Sequence, residues 1–169
     1  HIIEKFYADK KKYSFSFQMM AYISRLSNIK KILKEKQDVI IISERSLFTD
    51  KNVFAKMLYD DNQIEEIEYT IYNKWFNDFI DDIPFKSIIY LRTTPEICFE
   101  RIKKRNRDGE SDIPLDYLKS CHQYHENWIN NENRNNQNVL FIECNDDITL
   151  NKDILSCWID ESYKFIINS

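Results

Sequence analysis

VIIISERSLFTD, Val39 to Asp50, is the stretch whose reading decides the fold. Val39 to Ile42 is a run of four β-branched residues, wholly apolar and short, the composition of a strand buried on both faces of a parallel sheet. Polar residues begin at its end with Ser43, Glu44, Arg45 and Ser46. In an open α/β sheet the ligand crevice lies outside the carboxyl ends of the strands, so an acid and a base there are placed for chemistry. The same residues also suit a strand end with a surface ion pair, and spacing alone leaves both readings open.

Working outward, Ser87 to Arg92 (SIIYLR) and Val139 to Ile142 read as two further buried strands. Helical spacing fills the intervals. Phe15 to Lys36 carries Met19, Ile23, Leu26, Ile29 and Leu33, with Ser14 as the expected N-cap. Leu47 to Tyr59 reads as turn and helix capped by Thr49 or Asp50, and Ile64 to Ile80 carries Ile67, Ile71, Trp75 and Phe79 on one stripe, as core or subunit contact. Pro95 opens a helix to about Arg105, Pro114 one to about Glu132, and Lys152 to Ile167 closes the chain with Ile154, Trp158, Tyr163 and Ile166 inward. Alternating strands and helices predict an α/β fold, a parallel sheet with helices on both faces.

The 169 residues suffice for one domain with a sizeable core, and no linker divides them. Lys and Arg number 24 against 28 Asp and Glu, a net charge of −4, which is no footprint for a nucleic-acid polymer or an anionic membrane. No apolar run reaches the roughly 20 residues of a membrane span. Cys98, Cys121, Cys144 and Cys157 form no C-x-x-C pair and fit reduced thiols. A cytoplasmic protein is expected, with a mitochondrial location also open. The chain begins at His1, and its one glycine is Gly109, so it holds no G-x-x-x-x-G-K-[ST] loop. The residues are then either a piece of a longer polypeptide or not a self-sufficient phosphoryl-transfer enzyme.

Three clusters could carry chemistry. Gln18, Ala21 and Arg25, at i, i+3 and i+7, share one side of a helix and could wall a flat polar ligand; a partly solvated flank is the plainer alternative. Arg101, Arg105 and Arg107 converge on the segment RNRDGESD (105–112), which suits a lid over phosphates or a solvated basic face. His122 and His125 have metal-sharing spacing, but no neighbouring Cys or carboxylate completes a coordination set, and packing or capping accounts for them better. An acid closing a strand, as Glu44 does here, is also how many phosphoryl-transfer enzymes hold Mg²⁺.

Four segments in order, YSFSFQMMAYISR (13–25), ERSLFTDKNVFAKMLY (44–59), IIYLRTTPEICFERIKKRNRDGESDIPLDYL (88–118) and HQYHENWI (122–129), resemble the deoxycytidine/deoxyguanosine kinase family of deoxynucleoside kinases. The resemblance implies a single P-loop kinase-like domain over residues 1–169 with a lid at about 101–112, and a homodimer through a helix bundle. It implies transfer of the γ-phosphoryl of ATP, with Mg²⁺, to the 5′-hydroxyl of a deoxynucleoside.

Residue by residue, Glu44 matches the magnesium and 5′-hydroxyl region and Arg45 the phosphate region. Gln18 resembles the amide that pairs with the base edge, Arg25 and Asp50 the charged pair beside it, and Phe17 and Phe54 its apolar walls. Tyr7 and Glu110 resemble the pair holding the sugar 3′-hydroxyl. Arg101, Arg105 and Arg107 match the lid arginines, while Asp147 and Ile148 match the adenine-contacting loop. Ala21, Arg25 and Asp50 keep the polar arrangement of deoxycytidine and purine-deoxynucleoside kinases, so dC, dA or dG is expected over dT. The family's phosphate loop and catalytic-base Glu are not in these residues. An additional N-terminal segment of about 50 to 80 residues is therefore expected, and this chain alone is expected to be inactive. A truncated nucleoside-binding or interaction module, and a thymidylate-kinase-like monophosphate kinase, are the alternatives.

Overall fold

The computed structural model describes residues 2–36, 38–107, 113–134 and 138–168. They fall into two compact units, His1–Pro84 and Phe85–Ser169.

The first unit is helical among its described residues. It comprises α1 (Ile2–Ala8), α2 (Lys10–Glu35), α3 (Leu47–Thr49), a π-helical turn (Asp50–Ala55), α4 (Lys56–Asp60) and α5 (Glu66–Ile80). Asp9, not Ser14, caps α2, its carboxylate accepting from the Lys12 amide at 3.1 Å. The helix therefore starts five residues earlier than its apolar spacing suggested, because a mixed, charged first turn still forms once an Asx cap satisfies its amides. Ser14 lies instead on the buried stripe Ser14, Gln18, Tyr22 and Leu26. Ser46 caps α3 in place of Thr49 or Asp50, its hydroxyl accepting from the Thr49 amide at 3.1 Å. The core gathers Tyr22, Leu26, Leu47, Ala55, Tyr72 and Phe76. A smaller cluster of Phe6, Leu58 and Ile64 is flanked by the Tyr59–Tyr69 stack.

Two expectations fail in this unit. Residues 39–43 join no strand, and Val39, Ile40 and Ile42 stand 49, 69 and 71 % exposed. A β-branched run disposes the backbone to extend, but a strand exists only where a neighbour takes its amides and carbonyls, and no described residue does so. On α5 the buried residues are Tyr72 and Phe76, whereas Ile67, Ile71 and Trp75 are exposed. That helix offers two apolar stripes, and the aromatic pair of Tyr72 and Phe76 wins the core because it removes more surface from water.

In the second unit β1 (Ser87–Arg92) and β2 (Asn138–Glu143) pair in parallel, Ser87 opposite Asn138 through Arg92 opposite Glu143. A parallel pair needs a long crossover, supplied by α6 (Pro95–Arg105) and α7 (Leu115–Arg134). The closing helix is α8 (Lys152–Ile167). On one face of the sheet Tyr90 stacks on His125 of α7 and Arg92 reaches Glu126, 3.4 Å away. On the other, Leu91 and Ile142 look toward Leu155 and Trp158 of α8. Helices thus flank a small parallel sheet, the α/β class expected. Tyr163, expected inward on α8, is 63 % exposed. His125 belongs to the packing: its ring stacks on Tyr90 and its Nδ1 lies 2.7 Å from the Cys121 carbonyl one turn back on α7.

Candidate functional site

In the first unit the site grows from α2. Gln18 is 4 % exposed, and Ala21 and Arg25 follow on adjoining positions of the same helix. Arg25 reaches out of the helix to two parts of the 44–50 segment: its Nε donates to Asp50 Oδ2 at 2.8 Å and one terminal nitrogen donates to the Glu44 carbonyl at 3.1 Å. One guanidinium thereby fixes both the carboxylate of Asp50 and the backbone that presents Glu44. The planar fork makes this possible where an ammonium would give a single point of attachment.

Asp50 is 2 % exposed, and burial pushes its carboxyl above the ordinary value; the Arg25 hydrogen bond and the Arg25 and Arg45 charges pull the other way. The segment that delivers it is shaped locally. Arg45 has φ 59°, a left-handed conformation that costs a side-chain-bearing residue about 1–3 kcal/mol. It is held there by the Ser43 hydroxyl donating to its carbonyl at 2.9 Å and by its guanidinium resting over the Phe54 ring at 4.6 Å. Asp50 opens the π-turn, a rare widening of the helix found frequently at functional sites.

Phe17 and Tyr7 meet through Phe6, which stacks on Phe17 at 4.6 Å and meets Tyr7 edge-on at 5.1 Å. Glu110, the expected partner of Tyr7, lies outside the described residues. The structure thus brings Arg25, Asp50 and Glu44 together, sets Gln18 and Ala21 on the same helix, and seats Phe54 under Arg45. Sequence reasoning missed Tyr72. Its side chain is fully buried, its hydroxyl has no hydrogen-bond partner among the described residues, and burial, with the Asp50 charge second, drives its proton affinity up. The signal was its spacing of four from Phe76 on α5, the second stripe described above.

In the second unit Arg101, Arg105, Asp147 and Ile148 all line one cavity of about 920 Å³, floored by Leu91, Ile142 and Trp158. An apolar floor with a few charged groups at its edge is the usual form of a small-molecule site. Arg107 follows Asn106, whose left-handed backbone (φ 46°) ends α6. Arg101 donates to the carbonyls of Asn145 at 3.3 Å and Asp146 at 2.8 Å. The Asp147 carboxylate accepts from the Thr149 hydroxyl at 2.6 Å and amide at 2.9 Å, and Lys104 lies 3.3 Å away; these contacts hold its carboxyl down at about 2. Lys104 was not foreseen as part of the site, since a lysine on a basic helix reads as solvated.

Among the described residues no three His, Cys, Asp or Glu side chains gather as a metal group. Glu44 is one exposed carboxylate. That is compatible with Mg²⁺, which commonly takes one or two protein carboxylates and completes its shell with phosphate oxygens and waters. Among the described residues no helix is long and apolar enough to cross a membrane.

A family model described as deoxynucleoside kinase matches residues 1–166. The chain is 36 % identical over 150 residues to a probable deoxycytidine kinase of Fowlpox virus (strain NVSL), covering 87 % of this chain and 63 % of that protein. It is 36 % identical over 137 residues to deoxycytidine kinase of Homo sapiens, covering 76 % and 53 %. To a mitochondrial deoxyguanosine kinase of Xenopus laevis it is 32 % identical over 166 residues, covering 89 % and 63 %. The chain thus spans between about half and two thirds of the length of these three relatives.

Proposed function

The chain belongs to the deoxynucleoside kinase family, and on that premise we propose that the protein transfers the γ-phosphoryl of ATP to the 5′-hydroxyl of a deoxynucleoside. dC, dA or dG is favoured over dT. The observation that carries the reading is the Arg25 fork, which ties the buried Asp50 carboxylate to the backbone of Glu44. A base bound against Gln18 and this pair meets a buried donor–acceptor surface, and an analogue that leaves such groups unpaired is rejected by roughly 10⁴-fold or more. The Gln18 amide can donate and accept at once, which is what the edge of a base requires.

In this reading the first unit carries the acceptor groups. Tyr7 holds the sugar, Phe17, Ala21 and Phe54 border the base, and Glu44 faces the 5′-hydroxyl and takes Mg²⁺. The metal's contribution is to neutralise charge on the transferring phosphates. The second unit carries the donor groups: Arg105 and Arg107 act on the phosphates, and Arg101, Asp147 and Ile148 belong to the donor nucleotide. The two units form one kinase domain.

A homodimer is part of the proposal. Ile67, Ile71 and Trp75 make an exposed apolar stripe on α5, and Met20 and Ile23 are exposed on α2, surface that a second copy would remove from water.

The test is full-length protein with labelled ATP, Mg²⁺ and each deoxynucleoside in turn. A 5′-monophosphate is expected, and no product with any of them refutes the reading. Calorimetric binding of a deoxynucleoside without turnover would instead favour a nucleoside-binding module, and phosphorylation of a monophosphate would favour a monophosphate kinase.

A further inference from the structure

We infer that Arg101 is a positioning residue for donor selectivity: it shapes the 145–148 loop that meets the nucleotide's base, rather than gripping phosphate. The inference rests on the proposed assignment of that loop to the donor base. It concerns a division of labour among the arginines of α6 that their common charge conceals.

Arg101 and Arg105 are one helical turn apart and line the same cavity. The Arg101 guanidinium is already committed, donating to two successive carbonyls, Asn145 at 3.3 Å and Asp146 at 2.8 Å. Its charge also bears on Cys98, one turn back on α6, and on Cys144, just past β2, partly offsetting the burial that raises both thiols. Three further contacts hold the same loop to the start and flank of α6. The Thr93 hydroxyl donates to the Cys144 carbonyl at 3.2 Å, the Thr94 amide donates to Asn145 Oδ1 at 3.0 Å, and Lys104 pairs with Asp147 at 3.3 Å.

The two carbonyls accept from a cation, and without Arg101 the Asn145 and Asp146 carbonyls lose that donor, while the loop keeps the Thr94 and Lys104 contacts and the bonds that Thr149, Leu150 and Asn151 make to Asp147. A loop that must be ordered on binding lowers affinity for whatever it orders around. The penalty falls on the base, which the loop meets, and spares a phosphate chain, which it does not.

The experiment uses full-length protein with Arg101→Gln, Arg101→Lys and Arg105→Gln. Initial rates are measured with ATP and with UTP at saturating deoxynucleoside, alongside inhibition by inorganic tripolyphosphate, which has phosphates and no base. Arg101→Gln is expected to raise KM for ATP about tenfold, or about 1.4 kcal/mol, with kcat within about twofold. The ATP-to-UTP preference should shrink by a similar factor while tripolyphosphate inhibition stays within about twofold. Arg101→Lys should recover part of the ATP affinity, since an ammonium also donates to carbonyls. Arg105→Gln should weaken ATP, UTP and tripolyphosphate alike, and thermal unfolding of all three variants should match wild type.

If Arg101→Gln weakens tripolyphosphate as much as ATP and leaves the ATP-to-UTP ratio intact, or changes nothing, the inference is overturned. Equilibrium binding of ATP and UTP repeats the comparison without turnover. A wild type that binds ATP and phosphorylates nothing would sink the kinase reading alone, and one that binds neither nucleotide would sink both.

Discussion

Replacing Arg25 with Met removes the one cation that, among the described residues, hydrogen-bonds a carboxylate only 2 % exposed, and the cost can be worked from that burial. A buried charge stripped of its partner typically costs about 3–5 kcal/mol. The protein can escape part of this by keeping Asp50 protonated. The price of neutrality at a given pH is about 1.36 kcal/mol for each unit above the unfolded value of 3.8. That ceiling is about 4.4 kcal/mol at pH 7 and about 1.6 kcal/mol at pH 5.

The sign follows from the direction of the shift. A carboxyl raised on folding binds its proton more tightly in the folded state, so stability is full below 3.8 and falls as pH rises through the folded value. Losing Arg25 raises that folded value further and widens the window. Urea unfolding of Arg25→Met should therefore show a deficit of about 3–4 kcal/mol at pH 7 that shrinks below about 2 kcal/mol at pH 5. Glu44 loses only one donor to an exposed backbone carbonyl, which water replaces. A deficit under about 1 kcal/mol, or one equal at the two pH values, would show that Arg25 does not offset the burial of Asp50.

The double substitution Arg25→Met with Asp50→Leu should recover most of that stability, because an apolar pair of similar volume is often neutral or better; its nucleoside preference should move toward thymidine, read from relative kcat/KM. Gln18→Ala should raise KM for the deoxynucleoside by about 10- to 100-fold with a smaller effect on kcat, from one or two lost buried hydrogen bonds; an unchanged KM would remove Gln18 from the base. Glu44→Ala should lower kcat by about 10² or more without moving the unfolding midpoint, since the side chain is exposed. The Asp147 carboxyl should titrate by NMR near 2 and well below 3.8, its contribution present above 3.8 and lost as pH falls through about 2; Thr149→Val should move that midpoint upward. Trp75→Lys should shift full-length protein from dimer to monomer in sedimentation, and an unchanged mass would exclude that face of α5.

The common placement of Gln18, Ala21 and Arg25 on α2 was legible because their relations are short-range. Gln18, Ala21 and Arg25 are linked by helical spacing alone, and helix geometry is set within a few residues. The cavity-lining pair Arg101 and Arg105 was legible for the same reason, but which of them holds a backbone depends on β2, some forty residues further along the chain, and no local pattern carries that. Val39 to Ile42 shows the limit most plainly. Its β-branched run is as strand-like as SIIYLR, yet only SIIYLR has a described neighbour, in β2. Pairing is a property of two segments, so propensity in one of them states a readiness and not an outcome. Ile71 and Tyr72 make the same point for α5, where adjacent residues head two competing stripes and the choice falls to the partner helix: the Tyr22 hydroxyl of α2 donates to the Trp75 carbonyl at 3.2 Å, while the Tyr22 ring lies 5.7 Å from that of Tyr72. That contact turns Tyr72 into the core and leaves Ile71 exposed, so the rotation that buries Tyr72 also sets the face proposed for the second subunit. A substitution that rotates α5 should therefore disturb nucleoside binding and association together, whereas Trp75→Lys, already on the outer face, should disturb association alone.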